Sequence, residues 1–91
     1  MYEEFVEFDN KVNISYKAAL KSFPDQTESV RTLKIANQNL ISAPKAWRIV
    51  RDKDCAVYDA LNSGNNNAGQ IELQCVVDRS KQRIIELDGF K

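Results

Sequence analysis

The residue types that act in catalysis or metal binding form no recognisable site in this sequence. The chain contains no histidine, and so lacks the commonest general base and the commonest metal ligand among side chains. Its two cysteines, Cys55 and Cys75, form no C-x-x-C pair and would leave a tetrahedral zinc site half filled. Asp52 and Asp54 point to different faces of a helix and make no glycosidase-type carboxylate pair. We therefore expect no enzyme activity, no cofactor and no metal.

The two sulfur atoms allow two interpretations that the residues alone leave open. A disulfide that closes a loop of this size contributes about 3 kcal/mol. Such a cross-link suits a chain of only 91 residues, whose core is small. Two buried free thiols in a reducing compartment agree equally well with the cysteine count.

Charge and length restrict the class of protein. The 13 basic and 13 acidic residues give a net charge of zero, which argues against a nucleic-acid partner. No apolar run approaches the roughly 20 residues of a membrane span. Residues 1–91 are therefore expected to form one small domain.

Apolar residues recur at steps of three and four, the period of a helix, in the first half of the chain. The first predicted helix runs from about Glu3 to Ser22 and stops at Pro24, because the residue before proline avoids helical conformation. The second is capped by Thr27 and Glu28 and reaches Ile41. The acidic residues that precede the first lysine suit the start of a helix, and the alternative is a docking patch for a basic partner.

Two further helices are predicted in the second half. Pro44 begins the third, with Ser42 as its cap, and this helix runs to Leu61. The stretch Asn62–Gly69 is an exposed loop. The fourth helix spans 73–87, and a glycine at position 89 closes it. The predicted fold is all-α, a small bundle of four antiparallel helices in which any cysteine cross-link joins helices three and four.

The segment from Trp47 to Cys55 has Arg-Asp four and five residues after a tryptophan and cysteine eight residues after it. This pattern resembles W-x-x-x-R-D-x-x-C, the signature of the lysozyme inhibitor LprI-like family of small exported bacterial domains. Other segments are similar to the family's L-N-x-x-Y, L-x-x-A and C-x4-T-x2-R-x3-L: Val12, Asn13 and Tyr16; Leu40 and Ala43; Cys75, Ser80, Arg83 and Leu87. The chain departs from the family at Pro44, where glutamine is usual, and in having no cysteine before Cys55.

The resemblance implies a disulfide between Cys55 and Cys75 and a periplasmic or secreted protein. Since Met1 is followed by Tyr-Glu-Glu and no apolar stretch, we expect a mature chain whose signal peptide has been removed. The resemblance also implies a set of motif residues with an architectural role: Asn13, Tyr16, Trp47, Arg51, Asp52 and Arg83.

Arg51 is the centre of this predicted set, because it shares one helix stripe with Trp47, Cys55 and Tyr58. We expect its stem to lie along the tryptophan and its guanidinium to reach a carboxylate or carbonyl of another helix. Asn13 and Tyr16 are the candidates to meet it, and Arg83 is expected to pair in a similar way. The alternative is that Arg51 contacts a partner directly.

The resemblance makes inhibition of lysozyme or a related peptidoglycan hydrolase the leading hypothesis, with a protein as the partner. A polar loop, or a basic side chain, entering the carboxylate-lined cleft would block it. The predicted contacts in that loop are Ser63, Asn65, Asn66 and Asn67, and the alternative is a solvated connector. Two other functions stay open. One is an immunity protein against a delivered peptidoglycan-targeting toxin, and the other is a non-catalytic envelope assembly module whose acidic first helix forms a homodimer.

Overall fold

A computed structural model describes residues 2–91, so that Met1, where the predicted domain begins, lies outside the described residues. The described part of the chain folds into three helices without a strand: α1 (Tyr2–Gln26), α2 (Val30–Leu61) and α3 (Ala68–Asp88). The all-α class is confirmed. The prediction of four helices is wrong, because the second and third predicted helices are one continuous helix.

α1 does not stop at Ser22 as predicted but continues to Gln26 with Pro24 inside it. Pro24 lies in the last turn, where its missing N–H removes only the helical bond to the carbonyl of Leu20. Phe23, the residue before the proline, is buried in the core at 9% exposure. Burial of that ring stabilises the helical conformation that the proline disfavours.

The start of α2 is capped by Ser29 rather than by Thr27 and Glu28 as predicted. The hydroxyl oxygen of Ser29 accepts a hydrogen bond from the backbone N–H of Thr32 at 3.2 Å. Thr27 Oγ1 instead accepts the backbone N–H of Ser29 at 3.1 Å, which orders the link before the helix. The side chain immediately before the first helical residue therefore provides the cap.

α2 continues through Pro44 without a break, so the predicted helix start at this residue with Ser42 as its cap is wrong. Ser42 lies inside the helix, and its hydroxyl donates to two carbonyls of the preceding turn at 3.1 Å each. An interior proline costs about 3 kcal/mol. Leu40 before the proline and Trp47 after it both pack in the core, and burial of such side chains contributes about 1.5–3 kcal/mol each. Packing on both sides of Pro44 thus offsets its local cost.

α3 begins at Ala68, before the predicted start, so the loop is shorter than Asn62–Gly69 and comprises residues 62–67. Gly64 lies in this loop with φ of 88°, a conformation that favours glycine. Gly69 lies inside α3. Gly89 follows the helix as predicted, and its N–H donates to the carbonyl of Glu86 at 3.1 Å.

The three helices alternate in direction, so α1 and α3 both run antiparallel to α2. Their shared core contains these buried side chains: Val12, Tyr16, Ala19, Phe23, Leu40 and Leu87. The molecule is a rod of 55 × 20 × 15 Å, with the loop between α2 and α3 at one narrow end. Among residues 2–91, no helix combines the length and apolar character needed to cross a membrane.

Candidate functional site

Arg51 is a buried cation at the level where all three helices meet, and its side chain is 4% exposed. Its Nε donates to Asp52 Oδ1 at 2.8 Å, and its Nη1 donates to Asp9 Oδ1 at 2.9 Å. Nη1 also lies 3.4 Å from the hydroxyl oxygen of Ser80. Since these acceptors belong to α2, α1 and α3 in turn, one side chain joins the three helices.

Aromatic rings flank the guanidinium of Arg51. Its Cζ lies 4.9 Å from the centre of the Trp47 ring and 5.7 Å from that of Phe5. Both distances allow attraction between the cation and the π-face, which is stronger away from water. Cys55, the next residue of the predicted stripe, is fully buried, whereas Tyr58 is 45% exposed. The buried seam of α2 therefore ends at the cysteine.

Asp9 is the carboxylate on α1 that receives two arginines of α2. Besides its bond to Arg51, it accepts one from Arg48 Nε at 3.4 Å. Partial burial would raise the pKa of the Asp9 carboxyl, but the hydrogen bond from Arg51 and the charges of both arginines outweigh burial and lower it. For Arg51, burial acts to lower the pKa, while its bonds to Asp52 and Asp9 raise it above its usual value. Both groups therefore stay charged at neutral pH.

Arg83 joins α3 to α1 further along the rod, towards the end opposite loop 62–67. Arg83 Nε donates to the hydroxyl of Tyr16 at 3.0 Å, and its Cζ lies 5.4 Å from the centre of the same ring. Its Nη1 reaches Glu86 Oε1 at 3.3 Å. Since Tyr16 is 4% exposed, this bond satisfies a hydroxyl that packs inside the core.

The predicted contacts of Asn13 and Tyr16 with Arg51 are wrong. Asn13 Oδ1 instead accepts a hydrogen bond from Arg48, and Tyr16 accepts the bond from Arg83. The residue of α1 that accepts a hydrogen bond from Arg51 is Asp9. A signal for it was present, because Asp9 stands four residues before Asn13 and so lies on the same helix face. Arg48 also joins two helices, and it lies outside the predicted set of motif residues.

This cluster is suited to holding the helices in register and not to binding a partner through Arg51. Its guanidinium is buried and donates to three acceptors of its own chain. Removal of one acceptor would leave part of a buried charge unpaired, at a cost of several kcal/mol. The hydrogen bonds that Arg51 makes in the structure are therefore all within its own chain.

Cys55 and Cys75 form a disulfide, with their Cα atoms 5.5 Å apart. This prediction is confirmed, although the bond joins α2 to α3 rather than a third helix to a fourth. Each cysteine stands about two helical turns from loop 62–67, so the bond braces the two helices directly behind it. We call this braced end, from Tyr58 to Ile71, the tip.

Loop 62–67 presents exposed polar side chains at the tip: Ser63, Asn65, Asn66 and Asn67. Asn65 also shapes the loop, because its Oδ1 accepts the backbone N–H of Asn67 at 2.9 Å. Asn62 is held by its Nδ2, which donates to the carbonyl of Tyr58. Asn67 precedes α3 without capping it through its side chain. The amide group of Asn67 is thus directed to solvent and not to the helix.

The opposite end of the rod has an open cleft of about 590 Å³ between the three helices. Phe23, Leu40 and Phe90 form apolar walls, and Arg83 lies at its edge. The cleft contains none of the residues predicted to contact a partner. The two ends of the molecule therefore differ in character, one polar and protruding, the other apolar and concave.

Comparison with protein families gives one match that spans nearly the whole chain. The family described as "Lysozyme inhibitor LprI" matches residues 1–87. Its description is that of an inhibitor family, which agrees with the expectation that the chain is not an enzyme. The comparisons found no matching curated protein and no matching solved structure.

Proposed function

The chain belongs to the lysozyme inhibitor LprI family, and from this premise we propose that it inhibits lysozyme or a related peptidoglycan hydrolase by occluding the substrate cleft. The observation that carries the proposal is the family match over residues 1–87. We further propose that the tip is the part that enters the cleft. Its predicted contacts, Ser63, Asn65, Asn66 and Asn67, are all exposed.

The shape of the molecule supports entry by the tip. The loop lies at one narrow end of a rod of 55 × 20 × 15 Å, so it is the part of the molecule that enters a groove first when the rod approaches end-on. The disulfide between Cys55 and Cys75 fixes the two helices behind the loop. A braced loop loses less conformational freedom on binding than a free one, so more of the contact energy contributes to affinity.

The chemistry of the tip points to amide groups as the contacts. No lysine or arginine occurs from Ala56 to Asp78, so no cation of the tip pairs with the catalytic carboxylates. The primary amides of Asn66 and Asn67 can donate hydrogen bonds to carboxylates and, like the secondary amides of the acetamido groups on peptidoglycan sugars, offer both an N–H donor and a carbonyl acceptor. The tip would therefore supply hydrogen-bond partners to the groups of a cleft that normally binds N-acetylated sugars.

We also propose that the protein works outside the cytoplasm. The Cys55–Cys75 disulfide supports this, because disulfides persist in oxidising compartments. A target that cleaves peptidoglycan supports it as well, since that polymer lies outside the cytoplasmic membrane.

The test is inhibition of purified lysozyme on isolated peptidoglycan by the native chain and by a triple variant, Ser63→Ala, Asn66→Ala and Asn67→Ala. The variant leaves out Asn65, whose side chain shapes the loop. Loss of several hydrogen bonds of about 1 kcal/mol each should weaken inhibition at least about tenfold. Far-UV circular dichroism and the melting temperature should stay at the native values, because the three side chains are exposed.

The matched control is Asn37→Ala with Asn39→Ala, which removes two amides from α2 far from the tip. This variant should inhibit as well as the native chain. Equal inhibition by the triple variant would refute the role of the tip and leave inhibition itself intact. A native chain that inhibits neither lysozyme nor any peptidoglycan hydrolase tested would overturn the proposed function as a whole.

A further inference from the structure

The face of α1 that points away from the other helices carries a regular row of exposed residues. They follow one another at alternating steps of four and three along the helix: Glu3, Glu7, Asn10, Ile14, Lys17 and Lys21. The buried residues of α1, such as Val12 and Tyr16, lie on the opposite side. This spacing places the six side chains in one row along the helix. We call this row the outer stripe.

The charges of the outer stripe are arranged symmetrically about Val12, with opposite signs at equivalent positions. Glu3 stands as far before Val12 as Lys21 stands after it, and Glu7 and Lys17 are related in the same way. When two such helices lie antiparallel and cross at Val12, each glutamate faces a lysine. In a parallel arrangement each glutamate would face its own copy and repel it.

We propose that the outer stripe binds a second copy of this chain, with the two α1 helices antiparallel and centred on Val12. Glu3 then pairs with Lys21 of the partner subunit, and Glu7 pairs with Lys17 of the partner subunit. The two-fold axis repeats both pairs, which gives four in all. Ile14, which is 65% exposed in the single chain, then faces Asn10 of the partner subunit and lies about one helical turn from its own copy.

The present partners of these side chains leave them free for such contacts. Among residues 2–91, Lys17 and Lys21 take part in no ion pair, and neither does Glu3. Glu7 pairs with Lys11 at 3.1 Å on the same helix, but both side chains are more than half exposed. An exposed pair of this kind contributes little and exchanges readily.

The proposed dimer is weak and sensitive to salt, because exposed ion pairs are screened and the apolar contact is limited to Ile14 and its surroundings. It also has a defined geometry. Since α1 starts near the tip end of the rod and the two α1 helices are antiparallel, the two tips point in opposite directions. The inference is independent of the inhibition proposal, because it rests only on α1.

The test is the mass of the native chain by sedimentation equilibrium from micromolar to millimolar concentration, in low salt and in raised salt. We expect a dimer that forms with concentration in low salt and dissociates in raised salt. Glu3→Lys with Glu7→Lys should abolish it, and so should Lys17→Glu with Lys21→Glu. Combination of all four changes should restore it, because every opposed pair is again of opposite charge.

Lys34→Glu with Lys45→Glu is the control, since it makes the same change of charge on exposed positions of α2. This control should dimerise like the native chain, and all variants should keep the native far-UV circular dichroism spectrum. A native chain that stays monomeric at millimolar concentration in low salt would overturn the proposal. Failure of the fourfold variant to regain the dimer, or loss of the dimer in the α2 control, would overturn the antiparallel α1 interface.

Discussion

At the scale of single residues, Arg51 fixes how the three helices align. Burial of a guanidinium costs several kcal/mol unless it is paired, so the net contribution of its bonds to stability is small. The cost of misalignment is large, because any shift of α1 along α2 would separate Arg51 from Asp9 and leave a buried charge partly unpaired. The cluster therefore selects one register among the many that apolar side chains alone would allow.

The pairing of Asp9 predicts a pH-dependent loss of stability in Asp9→Asn. The folded-state pKa of Asp9 lies below its ordinary value, so its carboxylate stabilises the fold above about pH 4, and this contribution disappears as the pH falls through the folded-state pKa. Because asparagine keeps an oxygen that accepts from Arg51 but carries no charge, urea unfolding at pH 7 should show a free energy of unfolding about 1–3 kcal/mol below native, a smaller loss than removal of the acceptor would cause. The difference should shrink below pH 4.

The control for this prediction is Asp54→Asn, which removes the exposed ion pair with Arg79 at 3.2 Å. Its effect should stay within about 0.5 kcal/mol at any pH. A difference between Asp9→Asn and the native chain that is the same at pH 7 and pH 3 would show that the charge of Asp9 does not stabilise the fold.

The residues of this cluster could be predicted from the sequence better than their contacts could. Trp47 and Arg51 stand one turn apart on a helix, and this spacing predicts that the arginine stem lies along the tryptophan; in the structure the guanidinium also lies against the ring, with Cζ 4.9 Å from its centre. Which residue of α1 meets Arg51 depends on the rotation and register of two helices. That geometry is a tertiary property, so the sequence predicts the correct face of α1 for Asn13 and Tyr16 but not that their partners are Arg48 and Arg83.

At the scale of elements, α2 shows where local sequence rules lose to packing. Ser42 and Pro44 are typical of a helix start, because serine is a common N-cap and proline fits the first turn. In the folded chain, Leu40 and Trp47 on either side of the proline pack against the same core. A break between them would turn one of these side chains out of the core. The free energy lost in that way depends on tertiary packing, so the local sequence around Pro44 does not reveal it.

The cost of the proline predicts that Pro44→Gln stabilises the protein. Glutamine supplies a backbone N–H for the carbonyl of Leu40 and relieves the clash of the proline ring with the preceding turn. The greater freedom of the unfolded chain offsets part of this gain. We expect the free energy of unfolding in urea to rise by about 1–2 kcal/mol.

Lys45→Gln, one residue further along the same helix, introduces the same side chain at an exposed position and should change stability by less than about 0.5 kcal/mol. If Pro44→Gln proves less stable than the native chain, then α2 needs the proline at this position.

At the scale of the whole molecule, one end of the rod is cross-linked by the disulfide and the other end is not. The disulfide closes the α2–α3 hairpin behind the tip, while the apolar cleft lies at the other end between helix termini. A three-helix chain of 91 residues has little core for its surface, so the covalent bond contributes a sizeable part of its stability. Its position also concentrates that rigidity where the proposed contact lies.

The disulfide predicts a loss of about 3 kcal/mol in the free energy of unfolding when Cys55→Ala and Cys75→Ala are combined, given a sequence separation of 20 between the cysteines. Urea unfolding of the native chain with and without reductant should show a similar difference. Reductant should leave the double variant unchanged. A native chain with the same unfolding midpoint in both conditions would contradict a stabilising role for the bond.

The position of the disulfide also determines what happens when a protease cuts the exposed loop. Exposed loop tips are favoured sites of proteolytic cleavage. A cut anywhere in loop 62–67 falls between Cys55 and Cys75, so both fragments stay covalently attached and the three helices keep their contacts. Such a cut would blunt the tip without releasing either half, and the damaged molecule would run as a single species until it is reduced.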